Sequence, residues 1–163
     1  MNIVTVKNKK DEKFLRQKTV NFDFKKHSQA EIRELVKTMR QMMKKASGIG
    51  LSANQIGLNI KTFVAQVENK FYAVFNPEIL QKSKETSSLD EGCLSVPGVY
   101  GIVERPEKIT LAGYNSSGKK IKIKAWGLLA RVFQHEMDHL GGKLFTDKTK
   151  KVEKISIDLN KSQ

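Results

Sequence analysis

The chain has 163 residues, 39% hydrophobic and 29% charged, a composition that suits one globular domain (1–163) with a substantial core. No apolar run approaches the ~18–20 residues that cross a bilayer, so no transmembrane helix and no membrane partner are expected. The net charge is +13, but the lysines are scattered from Lys7 to Lys161; this argues against specific nucleic-acid recognition and leaves weak attraction to a ribosome as a partner.

The first residues, Met1-Asn2-Ile3-Val4-Thr5-Val6-Lys7, lack the apolar stretch of a signal peptide, so a cytoplasmic location is expected. Residues 1–26 are polar and lysine-rich, and read as an extended arm packed over the domain. Ser28 and Glu31 form a capping box ahead of a helix ending near Ala46, with Ile32, Leu35, Val36, Met39, Met42 and Met43 on one stripe. Two glycines in Gly48-Ile49-Gly50-Leu51-Ser52-Ala53-Asn54-Gln55 then break the helical pattern. Residues 62–67 and 71–75 read as a hairpin around Glu68-Asn69-Lys70, with Asn76-Pro77 ending the second strand.

A polar loop, 82–88, leads into Glu91-Gly92-Cys93-Leu94-Ser95, and strands are expected over 100–103, 108–114 and 120–124. Trp126 reads as core. Leu128, Val132, His135 and His139 follow helical spacing, and Gly141-Gly142 stops that helix after Leu140. A short segment around Ile155-Ser156-Ile157 lies in a C-terminal tail, 148–163. Together these elements predict an α+β class: small antiparallel sheets around a central metal-binding helix.

His135-Glu136-Met137-Asp138-His139 carries most of the chemistry. Histidines four apart project from one helix face and reach a single metal ion, with Glu136 placed as general base toward a water there. A catalytic metal normally takes a third protein ligand, for which Cys93, Glu91, Asp90 and His27 are the candidates. A lone cysteine is more often a small buried hydrophobe, but Cys93 has the best local context, following Gly92. A Cys/His/His set is soft enough for ferrous iron, zinc, cobalt or nickel. A His-Glu-x-x-His protease would usually take a downstream histidine or glutamate, yet no histidine follows His139 and the nearest acidic residue is Asp147.

Three segments, in order, resemble the signature motifs of the peptide deformylases: Gly48 to Gln55, Glu91 to Ser95, and Gln134 to His139. The resemblance runs from about residue 28 to residue 147. It departs at Ser52, where the family usually has alanine, and at Lys10 to Arg16, which replaces a proline-containing motif. The resemblance implies metal ligation by Cys93, His135 and His139, Glu136 as acid and base, and oxyanion donors from the Gln55 side chain and the Leu94 backbone N–H. The implied reaction is hydrolysis of the formyl group from the N-terminal formylmethionine of nascent polypeptides, with Fe2+ in the cell and Zn2+, Ni2+ or Co2+ as substitutes.

A methionine pocket is expected between Leu128, Arg131 and Val132 on the helix and Ile49 opposite, with the Arg131 stem in the wall and its charged end in water. Leu128 and Val132 read equally well as core. Gly48, Gly50 and Gly92 expose backbone for pairing with an extended substrate. Asp138 and Glu91 are left for supporting roles, one of them paired with Arg105.

Overall fold

Two antiparallel sheets meet at one helix in the computed structural model, which describes residues 2–154. The elements are α1 (Lys9–Leu15), α2 (Gln29–Lys45), β1 (Gly50–Ser52), β2 (Thr62–Val67), β3 (Lys70–Lys82), β4 (Thr86–Cys93), β5 (Val96–Pro106), β6 (Lys108–Tyr114), β7 (Lys120–Trp126), α3 (Gly127–Leu140) and β8 (Val152–Lys154). One sheet has the order β1-β2-β3-β6-β7 and the other β4-β5-β8, while α3 touches strands of both. The α+β class read from the sequence is the class observed. The segment around Ile155 lies outside the described residues.

Local chemistry accounts for most boundaries. Ser28 and Glu31 satisfy each other's backbone N–H groups in the capping box that starts α2. The β2–β3 turn is Glu68-Asn69 with both φ values positive, 49° and 64°, the twist that matches paired strands. Lys70 thus belongs to β3. Along β7 the outward positions are Lys120, Lys122 and Lys124, while Ala125 faces the core. That core joins Phe63, Val74 and Leu111 of the large sheet to Ala130 and Phe133 of α3.

Three expectations are corrected. The N-terminal arm is not extended throughout: Val4 and Val6 donate backbone hydrogen bonds to Gln55 and Ser95, but residues 9–15 then form α1. The Asn8 side chain caps that helix by accepting from Asp11 N, and Asp11 and Glu12 suit its first turn. Asn76-Pro77 does not end β3. Register shifts between Phe75 and Glu78 carry the strand past the proline, and the Asn76 side chain holds both backbone polar groups of Phe22. Trp126 is not core but 70% exposed, because it continues the outward register of the β7 lysines.

Gly142, just past α3, has φ 73° and lies against the Arg16 carbonyl, so a side chain there would collide with the segment after α1. The α3 C-terminus is thereby packed against the N-terminal segment.

Candidate active site

Cys93 ends β4 at the register shift with β5, and α3 carries both histidines toward it. Cys93 Sγ lies 3.1 Å from His139 Nε2, which is 3.2 Å from His135 Nε2. All three donor atoms lie within 4.8 Å of one another. Tetrahedral ligands at zinc-like bond lengths stand about 3.3–3.5 Å apart, so the cluster has the dimensions of a site for one ion. Burial and the neighbouring His135 charge hold His139 neutral, well below the usual histidine range. Burial also opposes charge on His135, yet Cys93, Glu91 and Glu136 outweigh it and push that ring up to about 10.

Glu91 is not in the cluster but orients it. Its Oε2 accepts from His135 Nδ1 at 3.0 Å, which turns Nε2 toward Cys93 and His139. Both Glu91 oxygens also accept from Arg105, and Arg131 Nη1 adds a bond of 2.7 Å to Oε1. Burial works to raise the Glu91 pKa, but Arg105 and His135 reverse the effect and hold it at about 2. Arg105 continues to Asp138 at 2.8 Å, and Asp138 to Lys148 at 3.3 Å. The sequence suggested that Arg105 pairs with one of the two acids; it pairs with both.

Glu136 follows His135 on α3 and is buried, with Oε2 lacking any hydrogen-bond partner. Burial pushes its pKa up to about 7, against the pull of the His135 charge. Gln55 stands in a 3-10 turn, Ala53–Ile56, directly after β1. Its Oε1 accepts from Ser52 N at 2.9 Å, so its Nε2 is directed at Ser95 Oγ, 3.1 Å away, and at Cys93 Sγ, 3.6 Å away. Ser52 Oγ reinforces the turn, lying 2.8 Å from Asn54 Oδ1 and 3.0 Å from Gln55 Oε1. Asn54 in turn donates to the His139 carbonyl at 2.7 Å. The hydroxyl at position 52 therefore fits the tight turn.

A cleft of about 540 Å³ opens beside this cluster. Gly48, Ile49, Gly50, Gln55, Gly92, Cys93, Leu94, Leu128, Arg131, Val132, His135 and Glu136 all line it, whereas His139 lies deeper. Leu128 and Ile49 stand about half exposed at its mouth, and Val132 is buried in its wall. The Arg131 guanidinium is not in water: it is buried on Glu91, the Val103 carbonyl and Ser87. The Glu91 carboxylate draws it inward, which helical periodicity does not register. His27 stacks on Phe22 and is no part of the cluster. Sequence reading missed the far wall, Val96 to Tyr100, which reaches the cleft because β5 folds back on β4 and lays the Tyr100 ring over Gly92.

A buried carboxylate oxygen without a partner, beside a Cys/His/His cluster that can hold a metal ion, is the arrangement of a metal-dependent hydrolase, and that is the class of this α+β fold. The polypeptide deformylase family matches the sequence over residues 1–155. The chain belongs to that family, the hydrolases that remove the formyl group from the N-terminus of new polypeptides. The peptide deformylase of Treponema pallidum is 42% identical over 118 residues, 72% of this chain and 73% of the relative. That of Carboxydothermus hydrogenoformans is 47% identical over 115 residues, 71% of this chain and 75% of its own. Among solved structures, a Synechococcus elongatus peptide deformylase in complex with actinonin superposes with TM-score 0.84 at 36% identity, covering 93% of this chain and 79% of that one. A Met-Ala-Ser-bound class I type b peptide deformylase from Acinetobacter baumannii gives TM-score 0.85 at 26% identity, covering 91% and 97%.

Proposed function

We propose that Cys93, His135 and His139 hold one divalent ion while Glu136 acts as acid and base in hydrolysing N-terminal formylmethionine. The observation that carries this reading is the unpaired, buried Glu136 Oε2 beside three converging ligand atoms. A bound divalent ion would supply a Lewis acid that lowers the pKa of water from about 16 toward neutrality. Glu136 accepts the proton of the attacking water and returns it to the leaving amine, giving formate and a free N-terminus. Gln55 Nε2 and the Leu94 backbone N–H donate to the formyl oxygen as it gains charge, each contributing about 3–4 kcal/mol to lowering the barrier.

The methionine side chain enters the wall of Leu128, Arg131 and Val132, with Ile49 opposite. Gly48, Gly50 and Gly92 pair with the extended peptide backbone, which suits a substrate whose later residues vary. That the Acinetobacter baumannii relative is solved bound to Met-Ala-Ser supports a methionine-led peptide as the class of ligand. Ferrous iron is our assignment for the cell, with zinc, nickel or cobalt as replacements in purified protein; the soft Cys/His/His set accepts all four. Residues 1–163 act in this reading as one catalytic unit in the cytoplasm, on nascent chains, with the +13 charge favouring weak ribosome association.

Anaerobic formate release from formyl-Met-Ala-Ser with added ferrous ion tests the activity, and Glu136→Ala should keep the metal and lose the release. Wild-type protein that binds iron and yields no formate overturns the reading.

A further inference from the structure

Lysines far apart in the sequence gather at one end of the large sheet and along its last strand. Lys120, Lys122 and Lys124 occupy alternate positions of β7, one every ~6.7 Å along the strand, and Trp126 continues the same row. Lys108 of β6 is the register partner of Trp126, and Lys82 ends β3 nearby. Between them lies a groove of about 800 Å³ lined by Gln81, Lys82, Ser83, Lys108, Lys124 and Trp126, among other residues, with no acidic side chain in its walls. Among the described residues, none of these five lysines has a carboxylate within salt-bridge distance. β7 is also the end strand of its sheet.

Lysines on an edge strand can simply block pairing with other chains. An indole 70% exposed in their midst does not serve that purpose, because it offers a flat apolar surface to any partner. A comb of unpaired cations ending at an open aromatic face matches a partner that alternates anions with flat rings. We infer that this groove, with the β7 lysine row that leads away from it, binds single-stranded RNA without sequence preference, one base stacking on Trp126 and successive phosphates tracking Lys124, Lys122 and Lys120. A single row of cations at a ~6.7 Å repeat matches the phosphates of an extended strand better than the laterally spread headgroups of an anionic membrane, which argues for RNA. The enzyme's substrate is also made on RNA-rich particles. This site stands apart from hydrolysis: failure of formate release leaves it untouched, and loss of RNA binding leaves catalysis untouched.

Trp126 is the sole tryptophan, so its fluorescence reads the contact directly. A single-stranded RNA of about twelve nucleotides, titrated into the zinc-loaded chain at low salt, should quench it. By anisotropy of a fluorescein-labelled copy of the same RNA, Trp126→Ala should weaken binding about tenfold, with Trp126→Phe recovering most of the loss. Lys120→Gln, Lys122→Gln and Lys124→Gln together should reduce the slope of log affinity against log salt by about 2. Formate release by iron-loaded samples of each variant verifies folding. An unquenched Trp126 on RNA addition, an unchanged salt slope in the triple variant, or tighter binding to phosphatidylserine vesicles than to RNA would each overturn the inference.

Discussion

Gly50 and Glu136 approach so closely that a side chain at position 50 would overlap Glu136 Oε1. β1 thus passes directly beside the Glu136 carboxylate, the base of the proposed reaction, and only glycine leaves room for it in its observed place. The neighbouring Val132 methyl, 3.0 Å from the same position, closes the other side.

Gly50→Ala should accordingly lower kcat/KM about 100-fold, the scale of a displacement near 1 Å at a catalytic group. Stability should change little, since the displaced atom ends a flexible side chain. Steady-state kinetics and thermal melts on the same sample check this; full activity in the variant would show that the carboxylate works from another position.

Glu91 is the hub on which the ligand arrangement rests. Its folded pKa of about 2 lies below the ordinary value of 4.5, so its stabilising contribution is complete above pH 4.5 and is lost as pH falls toward 2. Glu91→Gln should remove that acid dependence and cost about 3–5 kcal/mol at neutral pH, because Arg105 and Arg131 stay buried with reduced counter-charge. It should also weaken metal affinity about 10–100-fold by releasing His135 Nδ1. Urea titrations across pH and metal-binding isotherms measure both effects, and a variant retaining parental values in each would remove Glu91 from this role.

The Glu136 pKa predicts opposite trends in rate and stability. The carboxylate must be ionised to take a proton, so kcat/KM should rise with pH and level off once its pKa of about 7 is passed. A bound cation moves that midpoint lower. For the metal-free chain the folded pKa is raised above 4.5, so the associated stability is present below pH 4.5 and lost as pH rises through 7. Glu136→Gln abolishes that loss and should be more stable than the parent at pH 8, as chemical denaturation would reveal. Equal stabilities there would mean that the ionised group finds compensation in the fold.

Metal removal should abolish turnover and lower Tm together. An ion at 1,000 times its Kd adds about 4 kcal/mol to a site present only in the folded chain. Dialysis against a strong chelator, followed by calorimetry and readdition of one equivalent of ferrous ion under argon, checks the reversibility. Restoration requiring more than one equivalent per chain would contradict a single site.

Much of this centre was legible because its parts are local. The His135-Glu136 pair and His139 owe their common face to helical periodicity, and the α2 capping box, the Glu68-Asn69 turn and the Gly141-Gly142 stop follow from backbone preferences of a few adjacent residues. The missed elements have a different origin. Asn8 looks like any polar residue until the chain after it turns, and Pro77 remains in a strand because a register shift between Phe75 and Glu78 accommodates it while Asn76 finds a distant partner in Phe22.

By itself, then, the sequence determined the α+β class, the helix that carries His135 and His139 on one face, and the three motifs that resemble the deformylases, all through contacts within a few residues or one periodic face. Tertiary structure decided the remainder. It set Glu91 between Arg105, Arg131 and His135, closed the cleft with Val96 to Tyr100, drew the Arg131 charge out of water, and gathered scattered lysines around an exposed Trp126. Those relationships join residues on different strands and helices. Charge pairing and strand register fix them only after the chain has folded.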